Sequence, residues 1–484
     1  MTTMALDITV ILAYIVGINI VGFLSSRASS LNEYFLSGRQ LPWPVACLSI
    51  VATETSSLTF ISIPGLAYVS NLGFLQVALG YCVGRFLVAY ILLPRYVAGK
   101  IETAYEFLQG HFGLSSRRFV SMIFHVTRLL ADAIRLFATA IPLAFLLGFE
   151  GYWQSILIIG VATFAYTLYG GIRSVAVTDT IQMLLYLVSA TAALMLVPHM
   201  MGVTFSEVFS RIPPERYEIF SSGFEKGGEG VWTSYNVFSG IIGGAFLSFA
   251  SHGTDHLMVQ RALSCRDLAS ARKAVIGSGI IVFLQFALFL LVGLFIFALM
   301  GGKAYTKPDD IMPDFIVSCA PAGLKGLMLA GLFAAAMSTI SSSINSISSS
   351  TVLDIFMLGK SDMPEKRKVA ASRMIAFAWT GVMMGVALLL RNNKSPLVEL
   401  GLGIASITYG GMLGVFMQAV LFRRVSEPAS IAGVAVSIAV LLAVSFFTRL
   451  FWPWYVPIGF AISFSIGSLC KGLFGDNEKR SASP

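Results

Sequence analysis

Between Ala334 and Ser350 an otherwise apolar run carries Ser338, Thr339, Ser341, Ser342, Ser343, Asn345, Ser346 and Ser349. At helical spacing Ala335, Ser338, Thr339, Ser342, Asn345, Ser346 and Ser349 fall on one small, hydroxylic face. Such a face can let a second helix approach closely. It can also supply neutral oxygen ligands to a dehydrated sodium ion, if carbonyls freed by an interrupted helix complete the shell. Periodicity does not separate these two uses. The missing carbonyls have an obvious source in Ala52-Thr53-Glu54-Thr55-Ser56-Ser57, which is followed by Pro64 and Gly65. Polar groups and helix breakers at membrane depth are tolerated only where they line a cavity or are buried in protein. Gly240, Gly243 and Gly244, leading into Ser251-His252-Gly253-Thr254-Asp255, repeat the pattern farther along.

Charge inside apolar segments is the second chemical signal. Arg128, Asp132 and Arg135 stand at i, i+4 and i+7, on one side of a helix, so Asp132 can pair with either arginine. Glu54 and Arg85 bring this inventory to three positive and two negative groups. If all five share a cavity, one positive charge is left over, and a solute carboxylate held by arginine would offset it. A purely structural ion-pair cluster fits the same residues. Asp179, in Val177-Thr178-Asp179-Thr180 with Arg173 as the basic residue nearby, is a further candidate cation ligand.

These residues need a membrane scaffold. Of 484 residues 56% are apolar and 12% charged, about half the charged content of an ordinary soluble domain, near 25%. Apolar runs of bilayer-spanning length recur with short polar connections, so the expected class is an all-α, multi-pass membrane protein. Thirteen spans are expected, starting near Leu6, Pro42, Gly73, Arg118, Tyr152, Ser174, Ser234, Ala269, Ala322, Val369, Pro396, Ser430 and Pro453. The first, about Ile8 to Leu24, follows no basic segment and reads as a retained helix rather than a cleaved signal. With the N-terminus outside, the connections and tail expected in the cytoplasm carry 21 Lys and Arg, against 8 on the other side. That asymmetry orients the chain N-out and C-in. The net charge of +8 is scattered singly, with no patch for a nucleic acid. Cys47, Cys82, Cys265, Cys319 and Cys470 have no metal or redox spacing.

Two interrupted helices at corresponding places in two five-helix halves point to an inverted-repeat transporter. The expected organisation is an extra helix over residues 1–25, a first repeat over 42–200 and an extracellular loop over 201–233. A second repeat over 234–421, two further helices over 427–473 and a cytoplasmic tail over 474–484 complete it.

At its motifs the chain resembles the sodium:solute symporter family over most of its length. The resemblance rests on Ala52 through Pro64, on Tyr169-Gly170-Gly171-Ile172 leading to Thr178-Asp179, on Thr254-Asp255 through Val259-Gln260-Arg261, and above all on Phe333 through Asp354. It implies a LeuT-like core, alternating access and sodium-driven uptake. It also implies a sodium site made by the carbonyls of Ala52, Thr55 and Ala335 with the hydroxyls of Ser338 and Thr339. A second site, found in some members, would use Asp179, Ser338, Ser341 and Ser342, giving one or two sodium ions per cycle.

Substrate residues carry over less completely. Sugar-transporting members have a Glu-Gln pair where Leu58-Thr59 stands, and a glutamine at the position of Leu402. Sialic-acid members hold the carboxylate with an arginine resembling Arg128 and use hydroxyls resembling Ser56 and Thr59. They also use a glutamine that falls here at Ala78, and a neutral residue stands where this chain has Glu54. Proline-transporting members have an acid there. The resulting expectation is a sodium-coupled importer of a small carboxylate-bearing solute in the plasma (inner) membrane, with Glu54, Ser56, Thr59 and Arg128 contacting the solute. The lipid bilayer is its setting, and no obligatory protein partner is evident. Alternatives are sodium/sugar symport, or proton coupling through Glu54, Asp132 or Asp179. A sensor is disfavoured because the chain ends shortly after its last apolar run, and an enzyme because no nucleophile with its base stands out.

Overall fold

The computed structural model describes residues 3–25, 28–224, 230–390, 397–422 and 425–469. The tail 474–484, Cys470, and Arg27, Lys226, Arg391, Lys394, Arg423, Arg424, Lys471, Lys479 and Arg480 of the topology count lie outside these residues. In chain order the main helices are α1 (Thr3–Leu24), α2 (Trp43–Glu54), α3 (Ser57–Val69), α4 (Leu75–Leu87), α5 (Leu114–Leu147), α6 (Trp153–Leu168) and α7 (Gly171–Met201). They continue as α8 (Gly244–Gly253), α9 (His256–Leu263), α10 (Leu268–Met300), α11 (Leu324–Ser350), α12 (Glu365–Leu389), α13 (Leu397–Leu421), α14 (Glu427–Phe447) and α15 (Tyr455–Leu469).

Length and apolar composition alone qualify eight described helices as spans, or nine if α2 and α3 are one broken span. The expected thirteen are not reproduced by that test. The difference falls on elements that are short, charged or interrupted, among them α15, which has 15 residues. α5 carries Arg128, Asp132 and Arg135, α6 is short, and α8 and α9 are the two pieces of an interrupted element.

The breaks have local causes. After Glu54, Thr55 (φ −79°, ψ 109°) and Ser56 (φ −109°, ψ 176°) are extended, and α2 and α3 meet at a bend of 63°. Pro64 inside α3 cannot donate a helical hydrogen bond, and its carbonyl faces α10 at Gly293. A Cβ on Gly293 would lie 2.1 Å from that oxygen, so only glycine lets α10 approach there. In the second break, Asp255 (φ −81°, ψ 120°) caps α9 by accepting from the Leu257 N–H at 2.9 Å. α6 and α7 are divided at Gly171, whose φ of 54° and close approach to the Tyr34 carbonyl again require glycine.

α11 is the central post. Of its most apolar stretch 94% is buried, against 17% for α1 and 28% for α12 and α14. A helix hidden on all sides has no lipid face, so its serines point at protein neighbours: α7, α2, α5 and α9. α4 packs on α8 through Gly80, Gly84 and Gly244, small residues that bring two backbones together. α13 packs on α5 and α8, and α14 and α15 pack against its outer side.

Candidate functional site

The hydroxyl face of α11 meets the α2–α3 break. Ser338 donates from Oγ to the carbonyls of Ala52 and Ala335, both at 3.0 Å, and Thr339 donates from Oγ1 to those of Thr53 and Ala335, both at 3.2 Å. All of these residues are buried. Ala52, Ala335, Ser338 and Thr339, four of the five residues expected at the first sodium site, are thus gathered in one place, and the further carbonyl that meets Thr339 is that of Thr53. Thr55 lies in the break itself, its Oγ1 accepting from Gln285 of α10 at 2.5 Å. Gln285 was not singled out from the sequence, where a lone glutamine in a long apolar helix was the available signal. Rotating two hydroxyl hydrogens away from these carbonyls would expose several neutral oxygens to a small cation.

One turn farther along α11 the arrangement changes. Asp179 of α7 accepts at Oδ2 from Ser49 at 2.7 Å, Ser342 at 3.2 Å and Thr53 at 3.4 Å. It also accepts from the Arg261 guanidinium at 3.2 Å. Arg261, expected in a cytoplasmic connection, lies instead on α9 with no exposed surface. It donates to Ser49 at 2.8 Å, to the Leu257 carbonyl at 2.6 Å, and to Ser342. The expectation that Arg173 is the basic neighbour of Asp179 is therefore corrected, because the fold brings in an arginine 82 positions away. Ser341 turns to the Ser338 carbonyl at 3.0 Å. Asp179 Oδ1 is buried without a hydrogen-bond partner.

Beside the break a cavity is walled by Glu54, Ser56 and Thr59 from the α2–α3 region, by Arg128 and Arg135 of α5, and by Ser251 and His252 of α8. Tyr81 and Tyr409 also line it, and Leu247, Met258, Phe286, Val398, Leu402 and Ala405 supply its apolar side. All four expected solute residues, Glu54, Ser56, Thr59 and Arg128, are in this wall.

The charge balance differs from the sequence expectation. Arg128 is held by Asp255, at 2.7 Å through Nε and 2.5 Å through Nη2, and by the Tyr409 hydroxyl. Glu54 pairs with Arg85, and Asp132 pairs with Arg135 rather than Arg128. With Asp255 included, three arginines face three carboxylates, and the expected surplus positive charge disappears. Asp255 sits in a segment that the sequence marks as a helix break; its partner 127 positions away becomes evident only in the fold.

The sodium:solute symporter family model matches residues 34–437. The chain belongs to the sodium:solute symporter family. The symporter is 29% identical to the sodium/sialic acid symporter NanT of Aliivibrio fischeri, over 98% of this chain and 94% of that one. It is 28% identical to the sodium/sialic acid symporter SiaT of Proteus mirabilis, over 97% and 95%. Its fold is similar to a solved structure of a Na+-coupled sialic acid symporter in a substrate-bound outward-open state. The TM-score there is 0.87, with 27% identity, covering 97% of this chain and 98% of that one. A further likeness, to the nucleobase-cation symporter Mhp1 at 14% identity and TM-score 0.55, concerns the fold alone. The symporter is a sodium-coupled, multi-pass membrane protein with a LeuT-like core.

Proposed function

We propose that this symporter imports a carboxylate-bearing polar solute of the sialic-acid class, by alternating access of two inverted repeats over 42–200 and 234–421. The observation that carries this reading is the cavity wall containing both Arg128 and Arg135. Each is only partly engaged by its aspartate. Arg128 Nη1 takes no part in the bonds to Asp255 and Tyr409, and Arg135 Nε is buried without a partner. A carboxylate entering the cavity would accept from these remaining N–H groups, with Ser56 and Thr59 as hydroxyl partners. The sialic acid named for both relatives supports the same class.

Sodium would be held by the Ala52, Thr55 and Ala335 carbonyls with the Ser338 and Thr339 hydroxyls. The membrane would be the plasma (inner) membrane, with the N-terminus outside and the C-terminus cytoplasmic. Purified protein in proteoliposomes should accumulate sialic acid under an inward sodium gradient. Replacing sodium by choline at constant pH should lower uptake about tenfold or more. Uptake that ignores this replacement and follows a pH gradient sinks sodium coupling in favour of a proton. Sodium-dependent uptake of hexose or proline with none of sialic acid sinks the solute assignment.

A second sodium at Asp179, Ser338, Ser341 and Ser342 would compete with the Arg261 guanidinium for the same carboxylate. Arg261→Gln leaves Asp179 a buried carboxylate without a counter-ion, a change that costs about 3–5 kcal/mol. The expected result is a lower thermal midpoint in choline, with more of the loss regained in sodium than wild type gains. Equal sodium shifts in the two proteins would argue against a cation site at Asp179.

A further inference from the structure

The arginines account for one part of the cavity. Another part is built from Glu54, at the end of α2, and His252, near the end of α8. The two chains reach the cavity from the two interrupted elements. His252 Nε2 lies 3.7 Å from Glu54 Oε2, beyond the 2.7–3.2 Å range of a hydrogen bond. Among the described residues Nε2 has no hydrogen-bond partner, and His252 is only 2% exposed. A polar atom placed between the two groups would be within bonding distance of both.

We propose that Glu54 and His252 form a subsite that reads a hydroxyl group of the transported solute. This deepens the reading of the solute as a sugar acid and rests on it. Two observations and one choice of tautomer select a hydroxyl over the other groups a solute could offer.

The first is charge. Glu54 is already neutralised by Arg85, which has no exposed surface and whose Nε and Nη1 have no acceptor. An ammonium ion would add positive charge beside a guanidinium that nothing else offsets, whereas a hydroxyl adds none.

The second is hydrogen-bond polarity. Ser251 Oγ lies 2.9 Å from His252 Nδ1. Ser251 Oγ also donates toward the Ser248 carbonyl at 3.4 Å, so either atom of the pair can carry the hydrogen; we take the neutral tautomer in which Nδ1 accepts and Nε2 carries the hydrogen. The subsite then presents one acceptor, the Glu54 carboxylate, and one donor, Nε2–H. A hydroxyl oxygen donates to the first while accepting from the second; a second carboxylate cannot donate, and an ammonium cannot accept.

The third is position. Ser56, Thr59, Arg128 and Arg135 line the same cavity, so one small molecule can place a carboxylate on arginine and a hydroxyl on this pair.

The test uses the full chain in detergent, with binding read by thermal shift in saturating sodium. The probes are sialic acid and three six-carbon acids: gluconate, which carries hydroxyls, hexanoate, which carries none, and 6-aminohexanoate, which carries an ammonium. Wild type should bind gluconate at least about tenfold more tightly than hexanoate or 6-aminohexanoate, the loss expected for one hydrogen bond to a charged group. His252→Leu should weaken sialic acid and gluconate by about tenfold and leave hexanoate unchanged. Its sodium-induced shift in the absence of solute should match wild type, which shows that the variant is folded. Glu54→Gln should act in the same direction.

Preference for 6-aminohexanoate, or unaltered sialic acid affinity in His252→Leu, overturns the subsite; the second result would mean that the gap holds only a water. Should no carboxylate bind, the proposed solute class fails by itself. The subsite then stands or falls on whether His252→Leu weakens an uncharged polyol such as inositol.

Discussion

In Ser338→Ala, the sodium concentration that gives half-maximal uptake should rise about tenfold or more, and uptake at low sodium should vanish. Ser338, with its neighbour Thr339, joins the end of α2 to α11, and its one oxygen spans the Ala52 and Ala335 carbonyls. Alanine removes that oxygen from a buried cluster, and a hydrogen-bonding partner lost to a charged species is worth about 1.5–3 kcal/mol. Ser338→Thr retains the oxygen and should fall near wild type. Initial rates of solute uptake into proteoliposomes, titrated with sodium against choline at constant ionic strength, measure the effect. If Ser338→Ala titrates like wild type, the α11 face is a packing surface and the coupling ion binds elsewhere.

The second large effect concerns Asp255→Asn. Asparagine is as good a helix cap as aspartate, so the bond from Leu257 N–H survives and only the charge is lost. Arg128 is then buried beside Tyr409 without a counter-ion, a loss of about 3–5 kcal/mol. The thermal midpoint should fall by several degrees, and the double variant Arg128→Gln with Asp255→Asn should recover much of the loss. Arg128 and Asp255 are in contact, so non-additivity is required of them. A strictly additive double variant would mean that each residue is held by other neighbours. Solute binding should be lost in the single variant Arg128→Gln and in the double variant alike, which separates the stability role from the binding role.

The membrane class and the places where helices break were legible in the sequence, since both follow from composition and local chemistry. Glu54 through Ser57 and Ser251 through Asp255 show polar groups where lipid-facing helices have none, and both segments interrupt helices. The serines of α11 were legible as a face, and that face does meet the first break. Pairing was harder to read. Asp179 with Arg261, and Asp255 with Arg128, join residues 82 and 127 positions apart, and no periodicity within one helix encodes such a contact. Arg261 misled most, because an arginine next to an expected loop is ordinarily a topology signal. Its burial depends on α9 being the second half of an interrupted element rather than a connection. Length and apolar composition recover fewer than the expected thirteen spans for a related reason: the helices that bear charge or carry breaks are the ones least like a plain apolar span.

The matched charges of the interior have an electrical consequence. Arg85, Arg117, Arg128, Arg135 and Arg261 each face a carboxylate, Glu54, Asp354, Asp255, Asp132 and Asp179 respectively. A membrane potential does work of about 2.3 kcal/mol on each elementary charge for every 100 mV crossed. These five pairs each sum to zero, so as the unloaded protein returns they give that voltage no purchase of their own. One sodium carried with one carboxylate would then pass without current, while a second sodium would make every cycle deposit one positive charge inside.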